Sequence, residues 1–281
     1  MGDPAIFALM ALGGVGATTG VWGFLVEPRM VRERRWRVES ARWPGHRGEL
    51  RIAVLGDFQV GAPWFKIKHL DRVVARVNAM EPDIIVLLGD YVIDGVLFGR
   101  FVEPAKIAKS LSKLRARHGV YSVLGNHDWW YDGEEIRREL ESAGITVLEN
   151  QSVPVDPPEG RFWIAGLADE STRAPCVETT FAPVPEDEPV IALAHDPVTF
   201  FAIPERTAVT FAGHTHGGQF RLPWFGTPYT LGGTPRRMMY GLVEEDGKHL
   251  YVTSGLGTSA IPIRFNMPPE IAMITLAAAG R

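Results

Sequence analysis

Seven side chains able to bind a cation or move a proton recur at one kind of place in this sequence, directly after a short apolar run. Asp57 follows the run at 52–56, and Asp90 follows the one at 84–89. Asn126 and His127 follow 120–125, His195 follows 190–194, and His214 and His216 follow 208–213. A glycine turn at the end of a strand lifts side chains to the edge of a sheet. The set holds carboxylate, amide and imidazole but no thiol, a donor mixture suited to first-row divalent ions. It exceeds what one four-coordinate ion needs and so points to two ions. Two ions about 3.5–4 Å apart clamp a phosphoryl group, activate water and stabilise the attacking and leaving oxygens. Taken singly, each residue has a plainer use. Asp57 or Asp90 could cap a following helix, His127 could brace its turn, and His195 could be a satisfied core histidine. His214-Thr-His216 resists that reading, because alternate residues of a strand point to one side. Asp169 ends a similar run without a partner motif and is assigned to structure.

The elements that must hold these residues follow from periodicity. Near-continuous apolar runs of this length suit strands buried on both faces. Amphipathic patterns between them predict helices over 68–80, 103–117 and 133–143. Alternating strands and helices predict an α/β sandwich with its site beyond the carboxyl ends of the strands. After Gly217 the chain turns to short strands at 238–243, 249–253 and 271–276, which close a second sheet. The proline-rich stretches 153–158 and 183–189 read as loops.

An apolar share of 46% with 22% charged residues is that of a folded globular chain. A net charge of -4 with no long basic run excludes a nucleic-acid binder that works by neutralising phosphates. The single Cys176 cannot form an internal disulfide and reads as a small buried hydrophobe. Residues 5–26 carry no charge, a length sufficient to cross a bilayer as a helix. No basic residue precedes them and no small-x-small cleavage site ends them, so they read as a retained single-pass anchor over 1–27, ahead of a main domain at 28–281. Five arginines between 29 and 37 place that domain on the cytoplasmic face of the cell membrane. The stretch 34–38 also reads as a charged edge strand.

Gly56-Asp57, Gly89-Asp90, Gly125-Asn126-His127-Asp128, His195 and Gly213-His214-Thr-His216 together resemble the five blocks of the calcineurin-like metallophosphoesterases, over about residues 51–276. The stretches 213–219, 255–257 and 268–270 resemble a membrane-associated branch that includes enzymes similar to the UDP-2,3-diacylglucosamine hydrolases of lipid A synthesis. The resemblance implies a four-layer α+β sandwich of two facing mixed sheets flanked by helices. It implies that Asp57, Asp90 and His216 hold a first ion, that Asp90 bridges, and that Asn126, His195 and His214 hold a second. It also implies that a hydroxide between the ions attacks phosphorus in line, that His127 gives a hydrogen bond or proton to the phosphoryl or leaving oxygen, and that Asp128 orients His127 through its other ring nitrogen. The first block departs from the family's Asp-x-His. Here it is Asp57-Phe-Gln59, and Gln59 can offer only a neutral amide oxygen as a ligand. Mn²⁺ is then the expected ion, with Fe, Zn and Mg as the other candidates. Trp64, Phe65, Trp129, Trp130, Phe220, Trp224 and Phe225 lie near the motifs, with Trp129 singled out as a substrate contact, and Arg264 or Arg236-Arg237 as the grip on a second phosphate. The expected activity is hydrolysis of a phosphodiester or pyrophosphate in a phosphorylated lipid or nucleotide-lipid, by a monomer at the membrane. The alternative is a non-catalytic scaffold on the same fold, because Gln59 replaces the usual histidine.

Overall fold

The computed structural model describes residues 16, 18–231 and 233–280. Its strands, in chain order, are β1 (Arg32–Ser40), β2 (Leu50–Leu55), β3 (Ile84–Leu87), β4 (Val120–Ser122), β5 (Thr146–Val147) and β6 (Gln151–Val155). There follow β7 (Phe162–Gly166), β8 (Val190–Leu193), β9 (Thr207–Ala212), β10 (Gly241–Glu245), β11 (Lys248–Val252) and β12 (Glu270–Ala278). They form two six-stranded sheets, ordered β1-β12-β2-β3-β4-β5 and β10-β11-β9-β8-β7-β6. Both are mixed. In the first only β12 and β2 run antiparallel, and in the second the outer pairs β10–β11 and β6–β7 do.

The apolar runs are continuous because each inner strand is covered on both faces. Along β2 and β3, Ile52, Val54, Ile84 and Val86 face one way, into a core shared with Ile164, Ile191, Val209 and Phe211 of the second sheet. Their alternates Ala53, Leu55, Ile85 and Leu87 face the helices α1 (Ile67–Ala79), α2 (Pro104–Leu111) and α4 (Gly133–Ser142), through Leu70, Val73, Ile107, Leu111, Ile136 and Leu140. A short α3 (Asn126–Tyr131) starts at the end of β4, and α5 (Val177–Phe181) packs Phe181 on the outer face of the second sheet. The result is a helix–sheet–sheet–helix stack. The charged stretch near Arg34 is an edge strand, β1, beside β12 as its pattern implied.

Several expectations are corrected: the strand expected at 271–276 to close the second sheet is β12, which lies in the first sheet between β1 and β2. The second predicted helix stops at Leu111, and the proline-rich stretch near 153 is in part strand β6. Pro154 fits there because β6 is an outer strand, where a missing N–H costs no ladder bond. Cys176 is exposed, its thiol bonded to the Thr179 hydroxyl. Most of the expected membrane span, residues 1–15 and 17, lies outside the described residues. Among those described, no helix is long and apolar enough to cross a membrane. The end of that segment is a π-helical turn, Trp22–Val26, running into a tight turn at Glu27–Arg29. It is docked on the domain: Glu27 accepts from the backbone N–H of Met267 and from the Trp22 indole.

Candidate active site

Tight turns at the strand ends position the functional side chains. Asp57 and Gln59 after β2, Asp90 after β3, and His214 and His216 after β9 all lie in the left-handed region, with φ between 39° and 66°. For non-glycine residues this costs on the order of 1 kcal/mol each, and such strain gathers where function over-determines the backbone. The turns clasp one another. Asp57 N–H donates to the Gly89 carbonyl (3.0 Å) and Gln59 N–H to that of Asp90 (2.7 Å). His214 N–H donates to Asp57 Oδ1 (2.8 Å) and His127 N–H to Asp90 Oδ1 (3.0 Å). Two glycines permit the approach. A Cβ on Gly125 would overlap Asp90 Oδ1 and stand 2.6 Å from His195 Cε1, and one on Gly255, at φ 71°, would stand 2.6 Å from the Cβ of Asp57.

The donor atoms gather around Asp90. One ligand atom each from Asp57, Asp90 and His195 fall within 4.8 Å of one another. His195 Nε2 lies 3.5 Å from Asp90 Oδ2 and 3.1 Å from Asn126 Oδ1. His214 Nδ1 lies 3.0 Å from that same amide oxygen and 3.2 Å from His195 Nε2. His216 Nε2 is 3.9 Å from Asp57 Oδ1, and His127 Nε2 is 3.9 Å from Asp90 Oδ2. His195 Nδ1 sits 2.6 Å from the Leu88 carbonyl, which can only accept, so Nδ1 carries the hydrogen and Nε2 turns to the cluster.

Charge in this buried cluster is out of balance. Burial pushes the Asp57 carboxyl up to about 7, against the pull of His195. Burial acts on Asp90 too, but the imidazoles of His195, His127 and His214 outweigh it and hold the carboxyl below its ordinary value. The carboxylates in turn hold His195 well above the ordinary imidazole value in spite of its burial. His216 is pushed down by burial and then by Arg264. Asp57 Oδ2, both amide atoms of Gln59, and Nδ1 of His127 and of His216 are buried with no hydrogen-bond partner among the described residues. Buried polar atoms left this way call for a partner, and oxygen and nitrogen donors around clustered carboxylates fit divalent cations.

Three expected roles are corrected by the geometry. Asp128 does not reach the His127 ring. Its carboxylate accepts the backbone N–H groups of Asp90 (2.8 Å), Tyr91 (2.7 Å) and Gly125 (2.9 Å), so it staples the β3 and β4 loops together. Trp129 turns inward against the helix-side core, with the Arg173 guanidinium 4.2 Å over its ring. Trp130 instead meets His127 edge-on, centroids 4.8 Å apart, with its face open to solvent. Reading 126–131 as helix would have found it, because residues three apart share a face. Arg264 is fully buried, its guanidinium donating to the carbonyls of Ser254, Gly257 and Met267. It cannot grip a substrate phosphate, and Arg237 is paired with Glu245. Asp169 accepts from Thr172 N–H and from the Thr172 hydroxyl through Oδ2.

Two mixed sheets with this donor set at their strand ends define a metallophosphoesterase. Residues 50–218 match the calcineurin-like phosphoesterase family, and the chain belongs to it. It is 29% identical over 278 residues to the uncharacterized metallophosphoesterase YkuE of Bacillus subtilis, covering 96% of this chain and 94% of that one. It is 30% identical over 278 residues to the phosphodiesterase YaeI of Escherichia coli, covering 95% and 97%. A zebrafish (Danio rerio) transmembrane protein with a metallophosphoesterase domain is 30% identical over 282 residues, covering 93% of this chain, which spans 61% of that protein. The chain is therefore a metal-dependent phosphoesterase, and the non-catalytic scaffold reading gives way.

Proposed function

We propose that this enzyme hydrolyses a phosphodiester or pyrophosphate bond in a membrane-lipid precursor of the UDP-2,3-diacylglucosamine type. The observation that carries the reading is the cluster of Asp57, Asp90 and His195 within 4.8 Å, with Asn126 and His214 against His195 and His216 beside Asp57. In this reading Asp57, Gln59, Asp90 and His216 would hold one Mn²⁺, and Asp90, Asn126, His195 and His214 would hold another. Such ions would supply an activated water and offset the charge building on the phosphoryl oxygens. Asp90 reaches both sets of donors, and the Leu88 carbonyl fixes the tautomer of His195. His127, beside Asp90 and half-shielded by Trp130, gives a proton or hydrogen bond to the leaving oxygen. A cavity of about 390 Å³ lined by Phe101, Trp130 and Tyr131 opens next to it and suits the apolar or planar part of a leaving group. Residues 1–27 serve as a single-pass anchor for a catalytic domain on the cytoplasmic face. The uncharged stretch and the description of the zebrafish relative as a transmembrane protein support the anchor, and the arginines after the stretch support the face.

With Mn²⁺, the purified chain should cleave bis-p-nitrophenyl phosphate. Asp90→Ala should abolish turnover, and His127→Ala should lower kcat about 10²–10⁴-fold. Unchanged turnover in both variants would overturn the assignment. Rates on UDP-2,3-diacylglucosamine against simple diesters and nucleotides then decide the substrate class.

A further inference from the structure

Beside the cation site, exposed apolar side chains sit on three neighbouring turn tips and on the end of the N-terminal segment. The turn at 222–226 is closed by reciprocal backbone hydrogen bonds between Leu222 and Gly226, and it projects Trp224 and Phe225, 99% and 77% exposed. The turn at 96–99 projects Phe98, 71% exposed, and the turn at 260–263 projects Ile261, 57% exposed. The tips belong to one rim. Leu97 N–H donates to the Ala260 carbonyl (2.8 Å), and Arg221 N–H to that of Phe265 (2.8 Å). The Gln219 side chain, three residues past His216, bonds both Ser259 and Ile261. The N-terminal segment joins the same rim, where Gly23 accepts from Arg264 N–H (2.9 Å) and the Phe24 ring lies 6.5 Å from that of Phe98.

Single exposed apolar groups need no explanation, and turn tips in water ordinarily carry small polar residues. Four bulky apolar side chains on hydrogen-bonded tips beside one site are a different matter.

We propose that this rim docks on a phospholipid bilayer, with Trp224, Phe225, Phe98 and Ile261 entering the interfacial layer so that the cation site faces the lipid. The proposal deepens the lipid-precursor reading and rests on it for the purpose of docking. Two observations choose a bilayer as the occupant. The segment that enters the rim belongs to the stretch 5–26, which has no charged residue. A cationic flank adjoins it: Arg29 lies 3.9 Å over the Trp64 ring, Phe24 packs on that ring's edge, and Lys66 and Lys68 line the same hollow. Aromatic tips with basic neighbours match the interface and the anionic headgroups of a membrane.

The test uses the full chain, loaded with Mn²⁺, and vesicles of phosphatidylcholine and phosphatidylglycerol. With acyl-brominated phosphatidylcholine, Trp224 should be quenched, so the quenched fraction of tryptophan emission should fall in Trp224→Phe. The double variant Trp224→Ser/Phe225→Ser should hydrolyse a nitrophenyl phosphodiester lipid embedded in vesicles roughly tenfold more slowly, the scale of losing two interfacial side chains. Its rate on soluble bis-p-nitrophenyl phosphate should match the parent. Equal quenching in wild type and Trp224→Phe would overturn the proposal. So would sedimentation showing that the double variant merely converts an oligomer to a monomer, since the rim would then be a contact between copies. Failure of the wild type on the soluble diester would count against the phosphoesterase reading instead, and the quenching result would still decide docking.

Discussion

Gln59 is held at φ 39° by its N–H bond to the Asp90 carbonyl, and its amide is buried with neither atom bonded among the described residues. An uncharged oxygen at this place favours harder ions over those that seek nitrogen. Gln59→His should therefore shift the ratio of Zn²⁺ to Mn²⁺ affinity toward Zn²⁺ by roughly tenfold, the scale on which changes around a ligand set move metal affinity. Isothermal titration calorimetry of both ions checks this, and an unchanged ratio would mean that Gln59 faces no ion. At this scale the sequence was informative about residue types and poor about directions. Asp57, Asp90 and the histidines could be picked out because each follows a run that had to be a strand. Asp128, Trp129 and Arg264 were misjudged because chain proximity says nothing of where a side chain turns. The backbone N–H groups of the two loops captured the Asp128 carboxylate, and three carbonyls captured Arg264.

Elements here work by bringing backbone to backbone. The end of β4 meets the ends of β3 and β8 at Gly125, where no Cβ fits between Asp90 and His195. Gly125→Ala should leave far-UV circular dichroism unchanged and lower kcat/KM on the soluble diester about 10²-fold, the effect of an ångström's misplacement in a catalytic group. Full activity would show that the loop can yield without moving the carboxylate. Strands β2, β3, β8 and β9 were legible as near-continuous apolar runs, which double-sided burial explains. The proline in β6 hid a strand, since proline argues against one everywhere but at an outer position. The helix α2 was overextended because its apolar spacing persists past Leu111, while the chain breaks into turns at Ser112.

On the scale of the molecule, the candidate donors come from the strand ends of both sheets: Asp57, Asp90 and Asn126 from the first, His195, His214 and His216 from the second. Bound cations should therefore tie the halves together. Mn²⁺ at a hundred times its Kd adds about 2.7 kcal/mol. For a domain of this size that raises Tm by roughly 5 °C. Scanning calorimetry with and without Mn²⁺ measures the shift, and Asp90→Asn should remove it. The pairing of the sheets could not be read from order along the chain, because β12 crosses back from the far end to lie between β1 and β2, antiparallel to β2 and parallel to β1.

That crossing sets the order in which the protein can be built. When β1 and β2 leave the ribosome, the strand that separates them is still more than two hundred residues from being made. Neither can find its native neighbour on that side until residues 270–278 have been made. Native contacts this distant in the chain form late and slowly, and the unpaired edge of β2 must be shielded in the meantime. The first sheet can in this way be completed only after every strand of the second has been made, and deletion of residues 270–278 would leave β1 and β2 without the strand that joins them.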